Sequence, residues 1–138
     1  MRKIFLLFIL IPLFSFNTSL ADKQLIGKWE GKDEKNKVGT IIFDNEGYAT
    51  IQIDGQAFGG KEFDVNGNKA SMTYSINREV KPVEIDFIIT SLETHIEMRM
   101  LMIAEFDGDN TMTIASDFNN TRPTEFNSGN SIKLYRIQ

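Results

Sequence analysis

"KVGTIIFDNEGYATIQID", residues 37–54, carries the pattern on which the fold turns. On either side of Asp44-Asn45-Glu46-Gly47 apolar side chains recur at alternate positions, as they do in a strand with one buried face. The joint is built from residues that tolerate positive φ or bond their own backbone, which makes it a tight turn. The same unit recurs along the chain. "QLIGKWEG" precedes it, and "KEFDV" and "KASMTYSI" are joined by "NGN". After Pro82, "VEIDFIIT" places Val83, Ile85, Phe87 and Ile89 on one face; "EMRMLMIAEF" then turns through "DGDN" into "TMTIA", and "SIKLYRI" closes the chain. Eight or nine such runs, with no convincing long helix, predict an all-β fold. The architecture expected is an antiparallel up-and-down barrel of about eight strands, in which closure removes the exposed edges. "TSLETHIEMRMLM", residues 90–102, is ambiguous, because Thr90 and Glu93 have capping-box spacing and Leu92, Ile96 and Met100 would line a helix. The reading preferred over residues 91–97 is an approach to a strand from about Glu97, which pairs with "TMTIA" as a hairpin.

The chain opens "MRKIFLLFILIPLFSFNTSLADKQ". Arg2 and Lys3 form a basic head, the apolar run is too short to span a bilayer, and Ser19-Leu20-Ala21 suits a signal peptidase. Residues 1–21 are therefore expected to be a signal peptide and residues 22–138 one domain, exported to the periplasm or secreted, with no stable membrane anchor after cleavage. Without Arg2 and Lys3 the formal charge falls from −4 to −6. An acidic chain with no basic cluster argues against nucleic acid as a partner. There are no cysteines, which removes disulfides, thiolate metal sites and a cysteine nucleophile and leaves the core to hold the domain.

Gly27-Lys28-Trp29 stands in the first run and Arg136 in the last. Glycine permits close backbone approach, and guanidinium over indole is a favourable contact. This pair resembles the lipocalin and wider calycin pattern, in which a G-x-W packs its indole beneath an arginine from the chain end. "VEIDFIIT", "IAEFDGDNTMTI", "RPTEF" and "IKLYRI", in that order, are similar to small bacterial lipocalin-like domains. The resemblance implies a lipocalin-like barrel and brings no catalytic residues. The chain departs from larger lipocalins in being shorter and lacking their cysteines, so its interior is either hollow or filled by its own side chains.

Several clusters invite a chemical reading. Arg122, Pro123, Glu125 and Phe126 lie together in "NNTRPTEFNSG". With no histidine or metal set beside them they read as a structural turn, in which Pro123 fixes φ, Phe126 anchors, and the two charges pair with each other or cap backbone. Glu84 and Asp86 would stand about 7 Å apart on one strand face. Because the alternate positions are apolar, that face should meet water. Asp107, Asp109 and Thr111 fit a hairpin turn better than a calcium loop. Met98, Met100 and Met102 fall on one side of a strand, where methionine serves core packing, an adaptable apolar pocket or, with His95, a soft Cu(I) or Ag(I) site.

These readings converge on a monomeric, non-enzymatic binding protein with no cofactor and no metal, whose partner is a small apolar ligand. Trp29, Tyr48, Tyr74, Phe87, Met98, Met100 and Met102 are the candidate lining, with Gly27, Trp29, Arg122, Pro123, Glu125, Phe126 and Arg136 as structural residues. The alternative is a protein-interaction module of the periplasmic inhibitor or immunity type, which would show an exposed patch in place of a cavity.

Overall fold

A computed structural model describes residues 22–32, 35–117 and 119–138, so the expected signal peptide, residues 1–21, lies outside the described residues. Among the described residues nine strands form one closed antiparallel barrel. They are β1 (Gly27–Lys32), β2 (Val38–Phe43), β3 (Ala49–Ile53), β4 (Gln56–Val65), β5 (Asn68–Asn77), β6 (Val83–Ser91), β7 (Glu97–Asp107), β8 (Thr111–Ser116) and β9 (Ser131–Ile137). β9 returns to β1 with Arg136 opposite Trp29, which completes the ring.

A ring in which every neighbour is antiparallel needs an even number of strands, and β4 reconciles this with nine. Its first residues, Gln56 to Gly59, pair with β3, whereas Gly60 to Val65 pair with β5, and the register breaks between Gly60 and Phe63. Below that break Tyr48 bridges Thr73 directly and antiparallel. β4 thus doubles back on itself, and eight strand directions alternate around the wall beneath it. The corner falls at Gly59 and Gly60, whose φ values of +106° and +83° suit glycine alone. A side chain on Gly59 would strike the Met72 Cε atom and the Ala49 carbonyl. The two limbs of β4 touch through Phe58 and Phe63, whose rings lie 4.5 Å apart.

Alternation sends one face of each strand inward. Trp29, Phe43, Ala49, Met72, Ile85, Phe87, Met102, Met112, Ile114 and Leu134 are buried there. The ambiguous segment before β7 resolves as a single turn, with His95 N–H donating to the Ser91 carbonyl (2.9 Å) and Ser91 N–H to that of Ile96 (3.0 Å). His95 has φ +60°, so the backbone leaves helical geometry there and enters β7 at Glu97.

Candidate functional site

The two ends of the barrel differ. At one end the turn Asp22–Ile26 folds under the wall, with Leu25 N–H and Ile26 N–H donating to the Asp22 carbonyl. Leu25 is buried beside Trp29, whose indole N–H donates to the Leu25 carbonyl (2.8 Å). Arg136 covers the indole at 4.3 Å and donates to the carbonyls of Asp109 (2.9 Å), Ile26 (2.6 Å) and Gln24. Gly27 lies beneath it at φ +140°, a backbone conformation that side chains rarely adopt, and a Cβ there would also crowd Arg136 Nη1. Arg78 donates from Nε and Nη2 to the Asp22 carboxylate (2.5 and 2.7 Å) and lies over Phe106. The hydrogen bond from Arg78 holds the Asp22 carboxyl below its ordinary value. This end is a plug. Tyr74 belongs to it: its hydroxyl donates to the Asp44 carbonyl (2.7 Å), its ring meets Phe43 edge-on at 5.0 Å, and burial raises its pKa.

At the opposite end the core stops short of the rim and leaves a cavity of about 620 Å³. Its apolar lining comes from Ile41 on β2, Ile51 on β3, Phe87 on β6, Met100 and Met102 on β7, Ile114 on β8 and Ile132 on β9. Lys32, Lys35 and Lys37 and the polar residues Ser116, Ser128, Asn130 and Ser131 form its upper margin. β7 carries on past the last β8 partner, because Met102 faces Ser116 while Glu97 to Leu101 extend beyond it against β6. The β6–β7 hairpin therefore stands above the β8–β9 side as a lip. That lip explains why Met98 is 55% exposed although it shares the inward side with buried Met102.

Of the residues proposed as lining, Phe87, Met100 and Met102 meet in this cavity and Met98 stands on its lip. Trp29 and Tyr74 sit in the plug, and Tyr48 precedes β3 at the same end. The lining that sequence reasoning missed is Ile41, Ile51, Ile114, Ile132 and the lysines. The isoleucines were available from strand alternation; the lysines cluster in "GKDEKNK" beside a strand end, whose position at the mouth only the closed ring fixes.

The connection from β8 to β9 corrects two expectations. Arg122 pairs not with Glu125 but with β6, donating from Nη1 to Asp86 Oδ1 (2.7 Å) and to the Met102 carbonyl (2.8 Å), with Glu84 at 3.6 Å. Asp86 does not meet open water: it is 8% exposed on the outer wall, between Arg122 and Arg99 (3.3 Å). The Asp86 hydrogen bond raises the Arg122 pKa. Pro123 is buried and Phe126 half-buried, so this loop is anchored against the barrel before turning to the rim. Glu125 stays at the surface, and its carbonyl accepts from Asn130 Nδ2 (2.9 Å) in the turn that delivers Ser128 to Ser131 to the cavity.

A second concavity, about 580 Å³, opens beside the plug between Gln24, Arg78, Lys81, Pro82 and Phe106. Its arginine already holds Asp22 and covers Phe106, so its walls are structural. Among the described residues no group of three or more His, Cys, Asp or Glu side chains is placed to hold a metal ion. The mouth cavity is lined by apolar groups, ammonium groups and neutral hydrogen-bonding groups, a set suited to enclosing a molecule. Comparison with known protein families, curated proteins and solved structures finds no match to this chain.

Proposed function

We propose that this is an exported, lipocalin-like binding protein that carries a small apolar ligand in the mouth of its barrel and catalyses no reaction on it. One observation carries the reading: a cavity of about 620 Å³ whose inner lining is seven apolar side chains from six strands. That volume lies within the roughly 300–1,000 Å³ of small-molecule sites. The plug at the other end supports it, since a rigid floor lets the mouth stay open without loss of the core. Met100 and Met102 add adaptable surface that can follow a flexible chain.

Native mass spectrometry and solvent extraction of the purified protein test this directly, together with titration of an apolar fluorescent probe. Probe binding should be saturable and should weaken at least tenfold in Ile51→Trp, which fills the cavity. A protein that carries nothing and binds no apolar probe would overturn the proposal. Trp29 emission is a poor readout, because that indole is buried in the plug, away from the cavity lining.

A protein-interaction module is the second reading. It is favoured by one observation: Ile96 is 71% exposed on the lip beside Leu92 and Met98, which is an unusual place for apolar side chains on a soluble surface. Replacing Ile96 and Met98 by serine would abolish partner capture on this reading and leave probe binding intact on the first.

A further inference from the structure

The methionines of β7 are graded in their access to solvent. Met98, Met100 and Met102 share one side of the strand, opposite Ile89, Phe87 and Ile85 of β6. Their exposure falls from 55% through 36% to 3% as the strand descends from the lip into the barrel. The cause lies in the strand lengths: β8 reaches only to Ser116, opposite Met102, so among the described residues Met98 and Met100 have no β8 neighbour beside them. Met100 combines two properties, since it is open to solvent and also lines the cavity. Met72 and Met112 are fully buried in the core. With no cysteine in the chain, these thioethers are its oxidisable sulfur groups.

We propose that Met98 and Met100 form an oxidation site, at which a peroxide turns part of the barrel mouth from apolar to polar and weakens its hold on an apolar ligand. The effect on the ligand rests on the carrier reading above; the site itself does not. Peroxide alone balances the reaction. A sulfur lone pair attacks one peroxide oxygen, the O–O bond breaks, and the other oxygen leaves as water; sulfur loses two electrons and the peroxide is reduced. The step needs access to sulfur, which Met98 and Met100 give and which packing denies at Met102, Met72 and Met112. A sulfoxide is a polar group in place of a flexible apolar one. On Met98 it would stand opposite buried Ile89, and on Met100 opposite Phe87 in the cavity wall. If its oxygen turns to water, the side chain leaves the lining; if it stays, it is desolvated against the ligand. Both outcomes lower affinity.

The test treats the purified protein with hydrogen peroxide in steps. Peptide mass spectrometry reads which methionines gain oxygen, circular dichroism reads the fold, and titration with Nile red, a neutral apolar probe, reads the cavity. Met98 should oxidise first and Met100 next, both about tenfold faster than Met102, Met72 and Met112. Protein oxidised at both positions should keep its fold and bind Nile red about tenfold more weakly. In the double variant Met98→Leu, Met100→Leu, Nile red affinity should be the same before and after peroxide, which separates the two sulfoxides from damage elsewhere. Oxidation of Met102 or Met112 as fast as Met98 overturns the site. Ordered oxidation with unchanged affinity, or an equal loss in the double variant, overturns the control of binding and leaves the carrier standing. Untreated protein that binds no Nile red overturns the carrier, and the order of oxidation still decides the site.

Discussion

Removing Arg136 should unseat the plug. The guanidinium covers the face of Trp29 at 4.3 Å and donates to three backbone carbonyls from two separate segments, those of Gln24 and Ile26 in the N-terminal turn and that of Asp109 before β8. In Arg136→Ala the cation–π contact contributes a loss of about 0.5–2 kcal/mol. Each hydrogen bond adds a net loss of about 0.5–1.5 kcal/mol, and water can reach these partly exposed carbonyls, so no full desolvation penalty follows. The total is about 3–4 kcal/mol, less than the plain sum because the terms share one side chain. For a domain of this size that lowers the melting temperature by roughly 10–15 °C. Trp29 is the only tryptophan, so its emission reports on the plug without ambiguity. The emission should move to longer wavelength in the native variant, as the uncovered indole meets water. Arg136→Lys keeps a cation but loses the fork, and should recover about half of the stability. Thermal unfolding followed by circular dichroism, with fluorescence on the same samples, checks both. A fall of less than about 3 °C with unmoved emission would refute the role assigned to the arginine.

The plug also predicts an acid dependence. Because Arg78 lowers the folded-state pKa of Asp22, their pairing stabilises the fold above the unfolded carboxylate value of about 4 and is lost as pH falls through the lower folded value. Asp22→Asn should therefore lower the urea midpoint at pH 7, and the difference from the native protein should close as pH falls through the lowered folded-state value of Asp22. On the outer wall, a double-mutant cycle of Asp86→Ala and Arg122→Ala should give a coupling of about 1–3 kcal/mol, since either single change removes the shortest pair and leaves its partner only the longer contact to Arg99 or Glu84. Hydrogen exchange in residues 119–130 should quicken in both single variants, and additive single effects would contradict the pairing.

Much of the barrel was legible because its signal is local. Alternation in "TIIF" and "ATIQI", and the turns "DNEG" and "NGN", specify strands and hairpins without reference to the rest of the chain. Gly27, Trp29 and Arg136 were legible as a set through their resemblance to the calycin pattern, and the guanidinium does lie over the indole. What stayed hidden depends on distance along the chain. Arg122 meets Asp86 across 36 residues, and nothing within "RPTEF" distinguishes that partner from Glu125 three residues away. The lining was only partly legible for a related reason. Alternation tells which side chains face inward, but it does not tell whether they lie near the plug, as Trp29 and Tyr74 do, or near the mouth, as Phe87 and Met102 do. Closure of the ring sets that height.

The doubled-back strand at Gly59 and Gly60 has a consequence for how this chain can change length. Because Tyr48, just before β3, bridges Thr73 of β5 beneath the corner, the two limbs of β4 rise above that bridge toward the mouth. Residues can be gained or lost in pairs at Asp54-Gly55 or Asn66-Gly67, with each limb keeping its inward and outward faces, while the ring below retains its even count of directions. The protein thus holds a stretch of adjustable height at one side of its mouth, and the depth of the vessel can be altered there independently of its floor.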